Sequence, residues 1–523
     1  MSQEKEVQQP TGKKFKPTKR FIIGGTILLV VVVLIVAAAI LLSNKDRRPN
    51  YGLYVKNGAL YYTDFKGSSF RVTSNLTATD GSLPNVDYDL RYCATLSDNG
   101  SYLFFPENMT ISGDDVQTFD LCFQNVTAKE RKTVRIAEKV TRYHISSDAM
   151  TVTYLTTEGL YQYELKPASS NLLCKNVYDF QVADNSGRLV YLTAGNELYA
   201  QNPGSNKVKI DNHVDEILYV AGDFRSVIYR QENSIHKWVT GKGETEICAD
   251  AISWFIYPSG KALFLSNAEG YSQLYYHYGQ STTLMLEHVD ELIIAATDAP
   301  VALLTRWELI EPEDDSKEPP EPQLQTVLVS EKDVYVLADM EDKCCVGMDA
   351  NGKHTYFVDR DTSESTLYQL TLGAFGLDDL QIYDTDVYTQ HITITGDNRV
   401  VYFKNADEES GCGTLFLNTA ELAAEVPMTL EHFQSYGDLP DSQQIYYFTN
   451  YDPQKYSGTL HVASTDGSNR QISGAAILPF MLHNGQILFM ENYNHTTGGE
   501  LYAYIDGNTI LIDTGVTFYI PVL

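Results

Sequence analysis

A tight-turn sequence followed by an alternating apolar run recurs roughly every 40 residues through most of this chain of 523 residues. Asn, Asp and Gly tolerate the positive φ of tight turns, and the runs after them suit β-strands. The 3.6-residue periodicity of helices is nearly absent, and the one short helix that it predicts spans 419–425. The turn pattern begins at positions 57, 98, 147, 185, 222, 258, 297, 350, 396, 441 and 483.

Most of these units continue with a further apolar run, a polar turn and a third run, as in GLYQYEL at 159 or ELYAYI at 500. Immunoglobulin-like sandwiches need roughly 100 residues per domain, and a parallel β-helix needs much shorter turns of chain. The spacing therefore predicts an all-β fold, a β-propeller of about 10–11 degenerate blade repeats over residues 51–523. Because a single ring usually has about 4–8 blades, one unusually large ring and two rings both fit.

Several units resemble the TolB-type propeller repeat. The stretch GTLHVASTDGSNRQIS at 458–473 is similar to its outer strand, its D-G-S-N-like turn and a following strand that ends in Ile-Ser. SDNGSYLFF at 97 and ANGKHTYF at 350 resemble its other hairpin. The resemblance covers most of the repeat region and implies a propeller fold, found mostly in bacterial envelopes, without a shared chemistry. Some units lack the turn glycine, for example at Asp148, Asp223 and Asp298.

The two ends of the repeat region contain the same pattern. Without a gap, Leu60 aligns with Leu460 and Gly67 with Gly467. The first blade then begins partway through, and its inner strand is missing. Either residues 516–523 supply that strand and close a ring, which removes free sheet edges, or they are the last strand of their own blade.

The segment 307–325 differs in composition from the repeats around it. It is acidic and contains four prolines, which exclude it from a core strand. It is either a surface loop inside one blade or the boundary between two rings, and we favour the loop.

An apolar stretch of 22 residues without a charge, 21–42, is long enough to cross a bilayer as a single helix. The larger basic cluster lies before it, so the positive-inside rule predicts a cytoplasmic tail at 1–20 and an extracytoplasmic body beyond a linker at 43–50. The alternative is a signal peptide cleaved near Ala37–Ala39, but its apolar stretch is usually about 7–15 residues. We expect a single-pass protein of the cell membrane.

The charge of the body argues against some partners. The first 44 residues have six basic and two acidic side chains, which leaves 33 basic and 66 acidic ones, a net charge of −33, for the rest. Such a body repels phosphate backbones, so no nucleic-acid partner is predicted. The seven cysteines are few and scattered, although Cys93 and Cys122 lie in candidate neighbouring strands and could pair.

No catalytic signature is present. The chain lacks a G-x-S-x-G elbow, a P-loop and an H-E-x-x-H motif, and its eleven histidines show no metal spacing. His288 and His432 are read as ordinary inter-blade residues. Two acidic clusters, at 359–364 and 384–386, lack the spacing of an EF-hand and are read as solvated turn carboxylates rather than Ca²⁺ ligands. We predict no enzyme activity, no catalytic residues, no cofactor and no metal.

Tyrosine is abundant, with 36 residues against three tryptophans. Most strand tyrosines reflect β-propensity, but exposed ones on a propeller face suit sugar or peptide binding. The densest cluster, QLYYHYGQS at 273–281, makes Tyr275, Tyr276 and Tyr278 the candidate ligand-binding residues. The sequence thus predicts a non-enzymatic, membrane-anchored binding scaffold for a protein or envelope component; the alternative is a receptor for a small molecule or glycan at the propeller face or channel.

Overall fold

The structure is a computed structural model that describes residues 51–520, apart from the segments 77–93, 113–114, 184–186, 203, 269–270, 311–320, 361, 396–397, 429–443, 465–466, 483–485 and 495. The predicted tail, membrane segment and linker lie outside the described residues, as does His432. Over the described ranges the regular structure consists of 40 β-strands. No helix in these ranges has the length and hydropathy that a membrane crossing requires.

The strands range in length from two to 15 residues. The first twenty are β1 Gly52–Lys56, β2 Ala59–Thr63, β3 Ser69–Thr73, β4 Thr95–Leu96, β5 Tyr102–Ser112, β6 Asp115–Asn125, β7 Val134–Ile145, β8 Thr151–Thr156, β9 Gly159–Glu164, β10 Ser169–Lys175, β11 Val177–Ala183, β12 Arg188–Thr193, β13 Leu198–Gln201, β14 Val208–Asp211, β15 Glu216–Val220, β16 Ser226–Gln231, β17 Ser234–Val239, β18 Gly243–Cys248, β19 Ala251–Ile256 and β20 Ala262–Ala268. The others are β21 Tyr271–Tyr278, β22 Ser281–Ala295, β23 Ala302–Ile310, β24 Glu321–Val329, β25 Val334–Leu337, β26 Lys343–Met348, β27 His354–Asp359, β28 Glu364–Gly373, β29 Gly376–Leu377, β30 Gln381–Ile394, β31 Val400–Asp407, β32 Cys412–Leu417, β33 Ala420–Pro427, β34 Gln444–Asp452, β35 Ser457–Ser464, β36 Asn469–Met481, β37 Ile487–Asn494, β38 Gly498–Ile505, β39 Asn508–Val516 and β40 Phe518–Ile520.

These strands form seven antiparallel sheets of four to eight strands. Almost every strand pairs with its neighbour in sequence, so the chain is a succession of meanders. The hydrogen-bonded orders are β3-β2-β1-β40, β4 to β10, β11 to β14, β15 to β18, β19 to β25, β26-β27-β28-β30-β31-β32-β33 with β29 beside β28, and β34 to β39.

Each four-strand sheet is one unit, whose strands we call inner, second, third and outer. In the larger sheets a long strand belongs to two units, because its first half is the outer strand of one and its second half the inner strand of the next. Val140, for example, pairs with Phe119 on one side and with Thr156 on the other. The strands shared in this way are β7, β22, β30 and β36. Successive four-strand meanders of this kind are the architecture of a β-propeller.

A conformational signal marks the passage from one unit to the next. A residue with positive φ redirects the backbone, and a buried apolar residue follows it. His288 lies at such a bend in β22, which confirms its reading as an inter-blade residue. The bends and the apolar residues after them are Lys139–Val140, Asn176–Val177, His213–Val214, Asp250–Ala251, His288–Val289, Asp339–Met340, Asp386–Val387, Glu425–Val426 and Gly515–Val516.

The C-terminal strand completes the first sheet. β40 pairs antiparallel with β1, with Val55 opposite Phe518 and Leu53 opposite Ile520. This confirms that the end of the chain supplies the inner strand of the first unit, and β39 before it remains the outer strand of the last unit. Both ends of the described chain therefore lie in one sheet, and β40 covers the edge of β1 that would otherwise be unpaired.

Apolar clusters join each unit to the next. Ten such clusters occupy the described part of the chain, and each contains residues of consecutive units. One of them places Tyr54 and Tyr519 of the first sheet against Leu488 and Leu501 of the last. Burying such side chains contributes about 1.5–3 kcal/mol each, so the stability lies largely between units.

Cross-strand aromatic pairs explain much of the tyrosine content. A ring on a second strand stacks on the ring directly opposite on the third strand, and such pairs add about 0.5–1.5 kcal/mol beyond burial. Centroids are 5.0 to 5.6 Å apart in seven pairs, Tyr54–Tyr61, Tyr154–Tyr161, Tyr191–Tyr199, Tyr229–His236, Tyr402–Phe416, Tyr447–His461 and Phe489–Tyr502.

One local prediction is wrong, and a second is wrong in its extent. The predicted helix at 419–425 belongs to strand β33, which pairs with β32 as the outer strand of its unit. The acidic segment 307–325 is not a loop along its whole length, because β23 and β24 continue into it and pair from Ala302–Val329 to Ile310–Glu321. Its two flanks therefore form one hairpin of one sheet, and residues 311–320 lie outside the described ranges.

Turns without glycine keep the geometry of those with it. Ala149 has φ +58° and Phe224 has φ +59°, close to Gly100 at +68°. An aspartate just before the bend accepts a backbone hydrogen bond, from Met150 N to Asp148 Oδ1 at 2.9 Å and from Arg225 N to Asp223 at 3.0 Å. The aspartate offsets the strain of the non-glycine residue, so these units are complete.

Candidate functional site

A cavity of about 300 Å³ opens between the unit of β15 to β18 and the next. It lies where the inner-to-second turns of both units meet the third-to-outer turn of the second, since these turns are at the same end of antiparallel strands. The Tyr219 hydroxyl spans the two units by donating to Pro258 O at 3.0 Å. The lining residues used below are Tyr219, Asp223, Arg225, Lys237, Tyr278 and Gly279.

A buried lysine–histidine pair adjoins this cavity, and its lysine is one of the lining residues. Lys237, on β17, donates to His277 Nε2 at 3.1 Å and to Gly279 O at 2.7 Å. His277 Nδ1 lies 2.9 Å from Thr282 Oγ1. Because the ammonium has no acceptor, Nε2 must accept, and the proton of the neutral ring is on Nδ1.

Burial determines the ionisation of this pair. It lowers the pKa of His277 to about 4, and the charge of Lys237 adds to that effect. Burial also lowers the pKa of Lys237. His277 is therefore neutral at pH 7 and keeps its acceptor nitrogen for the lysine.

The ammonium of Lys237 has one donor to spare. An ammonium has three N–H groups, and the described residues accept from two of them. Arg225 lines the same cavity beside Asp223, with Nε 3.5 Å from Oδ2, and the Lys261 ammonium lies 5.4 Å from the ring centre of Tyr278. Cations beside two tyrosine rings suit a small anion with a flat or apolar part.

The three predicted tyrosines have different environments. Tyr278 is 60% exposed and lines the cavity. Tyr275 is half-buried, packs against the preceding unit and donates to Gln273 Oε1 at 2.7 Å. Tyr276 is half-buried against the following unit. Tyr278 is therefore the one of the three that lines this cavity, because it stands at the exposed end of β21.

The acidic clusters form ion pairs with lysines. Asp359 accepts from Lys343 Nζ at 2.6 Å and Asp384 from Lys404 Nζ at 2.6 Å. Burial opposes ionisation of both carboxyls, but these bonds outweigh it and hold each pKa below its ordinary value. Cys122 is a free, buried thiol, and Cys93 lies outside the described residues.

A second exposed feature is the hairpin of β23 and β24. Trp307 and Leu324 are directly opposite each other, 45% and 48% exposed, near the end of the described hairpin. The Trp307 indole is oriented by donating to Asp290 Oδ1 at 2.9 Å. An exposed tryptophan held in place beside a second apolar side chain is typical of binding hot spots.

Sequence reasoning missed Lys237 and His277 as a pair. A signal was present, because the lysine in SIHKWV occupies a position on the apolar face of the strand. Its side chain is 8% exposed, so it is buried. Its partner, 40 residues later, is not deducible from spacing alone.

No family model matches this chain, and no curated protein matches it. Among solved structures it is similar to Porphyromonas gingivalis dipeptidyl peptidase 4, at 10% identity and TM-score 0.36, over 82% of this chain and 61% of that one. It is also similar to a eukaryotic initiation factor, at 11% identity and TM-score 0.40, over 82% and 97%. The propeller domain of the Trilobed protease from Pyrococcus furiosus matches at 11% identity and TM-score 0.24, over 64% and 97%. At such low identity and TM-score, the activities of those proteins do not transfer to this chain.

Proposed function

We propose that this protein is a membrane-anchored, extracytoplasmic propeller of TolB type that binds a protein partner of the cell envelope without catalysing a reaction. The exposed Trp307–Leu324 pair on the β23–β24 hairpin carries this proposal. The apolar stretch 21–42 supports the anchor, and the basic cluster before it supports the orientation.

The chemistry of the hairpin defines the partner. Residues 308–321 contain seven acidic side chains and one basic one. A partner that covers Trp307 and Leu324 would need an apolar pocket with a basic rim, since complementary charge steers association and orients the complex.

We also propose that the units form one ring of eleven blades. The clusters connect consecutive units, including those on both sides of the acidic hairpin, and a further cluster joins the last unit to the first. Two separate rings would each need a strand that closes the ring by pairing with a much earlier strand. Among the described residues, β40 is the one strand that does so.

Crosslinking in native membranes tests the partner. We expect wild type to give a recurrent crosslinked protein that is lost in the double variant Trp307→Ala, Leu324→Ala. A variant with Tyr178→Ala and Ile252→Ala removes exposed side chains elsewhere, 71% and 54% exposed, and should keep the crosslink. Recovery of the same crosslinked protein from both variants would show that the hairpin is not part of the interface.

Protease treatment of intact, wall-stripped cells tests the location. Protease should degrade the body at 51–523 and spare the tail at 1–20, because only the body is outside. A body protected in intact cells and cleaved after lysis would reverse the orientation.

The cavity favours a second function, a receptor for a small acidic molecule. The spare N–H of Lys237 and the nearby Arg225 would bind a carboxylate or phosphate, and Tyr278 would pack on the rest of the molecule. Calorimetric titration with uronic acids and sugar phosphates should give one saturable site. Lys237→Met should abolish it, whereas Lys242→Met, outside the lining, should not; no heat with any of these compounds would eliminate this function.

A further inference from the structure

A three-residue polar bridge recurs between neighbouring units. Asp513, on the outer strand of one unit, accepts from the Tyr54 hydroxyl at 3.0 Å and from Lys56 Nζ at 2.7 Å, both on the second strand of the next unit. Tyrosine and lysine are two residues apart, on one face of the strand. The same bridge occurs again at Asp384, Tyr402 and Lys404. In both places the lysine provides a cation next to the half-buried carboxylate.

One unit has the carboxylate and the tyrosine of this bridge but not the lysine. Asp211, on outer strand β14, accepts from the Tyr229 hydroxyl at 2.9 Å. Two residues after Tyr229 stands Gln231 instead of a lysine. Within the described residues, Gln231 makes no hydrogen bond to Asp211.

A histidine and a second carboxylate approach Asp211 instead. His236 stacks on Tyr229, with centroids 5.6 Å apart, and its Nδ1 lies 2.9 Å from Glu244 Oε1. One ligand atom from each of Asp211, His236 and Glu244 lies within 4.8 Å of the others. The His236 side chain is 12% exposed and that of Glu244 is 37% exposed, so the three groups meet between two units at a position that solvent can reach.

We propose that Asp211, His236 and Glu244 bind a divalent transition-metal ion, best Zn²⁺, where the lysine ammonium lies in the other two units. One imidazole and two carboxylates are ligands that Zn²⁺ accepts at about 2.0–2.2 Å, with water completing the tetrahedron. Ca²⁺ does not fit, because it needs six to eight oxygen ligands.

The surroundings orient the ligands. The Tyr229 hydroxyl fixes Asp211 Oδ2, the Asn212 backbone N–H donates to Oδ1 at 2.7 Å, and the Tyr229 ring holds the imidazole plane. Such partners raise metal affinity by fixing ligand orientation. The metal would replace the proton that His236 now shares with Glu244.

Calorimetry with ZnCl₂ on the full-length protein in detergent tests this site. All variants carry Cys344→Ser and Cys345→Ser, so that these thiols do not bind the ion. His236→Phe removes the imidazole but keeps a ring at the position that Phe416 fills opposite Tyr402. Gln231→Lys restores the lysine of the repeated bridge. His461→Phe is the matched control, since His461 stacks on Tyr447 but bonds to Thr449 Oγ1.

We expect the protein with only the two cysteine substitutions, and the same protein with His461→Phe, to bind one Zn²⁺ per chain at this site. The melting temperature of both should rise when the ion is added. His236→Phe and Gln231→Lys should each weaken Zn²⁺ binding at least tenfold, and neither variant should show the rise in melting temperature. Gln231→Lys should remain folded, because it recreates a bridge that two other units contain. The proposal would be overturned if the protein with only the two cysteine substitutions did not bind Zn²⁺, or if Gln231→Lys left the Zn²⁺ affinity unchanged.

Discussion

The Tyr54 hydroxyl donates a hydrogen bond to the Asp513 carboxylate at 3.0 Å, although the two residues are 459 positions apart in the chain. Lys56 adds a charged bond to the same carboxylate. This bridge joins the last unit to the first, beside the pairing of β40 with β1. The closure therefore depends on side-chain bonds as well as on the backbone ladder.

Asp513→Asn should weaken this closure. Burial opposes the charge on Asp513, but bonds from Lys56, the Thr514 backbone and Tyr54 outweigh it and lower the pKa. The stabilisation is therefore present at neutral pH and is lost progressively as pH falls below about 4, through the folded pKa. We expect a loss of about 1–3 kcal/mol at pH 7 and a smaller difference from wild type at pH 3, measured by denaturant titration. Glu158→Gln, exposed on a turn, should match wild type at both pH values.

Removing the closing strand should be much more damaging than trimming the end. Deletion of residues 517–523 exposes the edge of β1 and removes Tyr519 and Ile520, which are both buried. Two such side chains contribute about 3–6 kcal/mol together, so the truncated protein should unfold at lower temperature or aggregate. Deletion of 521–523 alone is the control and should be tolerated. Equal melting temperatures for the two truncations would contradict the closure.

A cysteine pair tests the same closure by chemistry. Val55 and Phe518 are directly opposite each other in the ladder, so Val55→Cys with Phe518→Cys should form a disulfide on mild oxidation. Peptide mapping should find this crosslink and should not find one in the offset pair Val55→Cys with Thr509→Cys.

Substitutions at the bends between units should change stability through the backbone conformation alone, without loss of side-chain contacts. Lys139 is exposed and has φ +54°. Lys139→Val should destabilise by about 1–2 kcal/mol, since a β-branched side chain is strained at positive φ, whereas Lys139→Gly should be neutral or stabilising. Lys175→Val, an exposed strand lysine at ordinary φ, controls for the loss of the lysine. Equal denaturation midpoints for the valine and glycine variants at 139 would count against the bend.

His277 should make stability depend on pH. Its folded pKa is about 4, below the ordinary value of 6.5, so the unfolded chain takes up a proton first as pH falls. The stability is complete above pH 6.5 and declines down to pH 4, by about 3 kcal/mol. His277→Gln should flatten this part of the pH profile in thermal unfolding, whereas the exposed His213→Gln should not.

The periodic part of the fold was predictable because it is local. Turn residues and alternation identify the strands, and the match of Leu60 with Leu460 and of Gly67 with Gly467 was enough to suggest a closing strand. The helix predicted at 419–425 failed for the opposite reason. Its alanines and glutamates favour a helix in isolation, but pairing with β32 provides backbone bonds that override the propensity.

The candidate sites were less predictable because they lie between units. Tyr278 could be chosen from composition, but its neighbour Lys237 is on the preceding unit, and the contact depends on which strand faces meet. The cluster of Asp211, His236 and Glu244 is likewise formed from two units. No spacing rule connects residues whose proximity is set by packing of one sheet on another.

The pairing of β40 with β1 also has a consequence for synthesis. The first sheet emerges first but obtains its inner strand only when residues 518–520 have been made, since Tyr54 pairs with Tyr519, 465 positions later. At about 5–20 residues per second, that interval is roughly 20–90 seconds. Throughout it the edge of β1 remains open to other partners, so a nascent chain of this protein should need a chaperone until residues 518–520 have emerged.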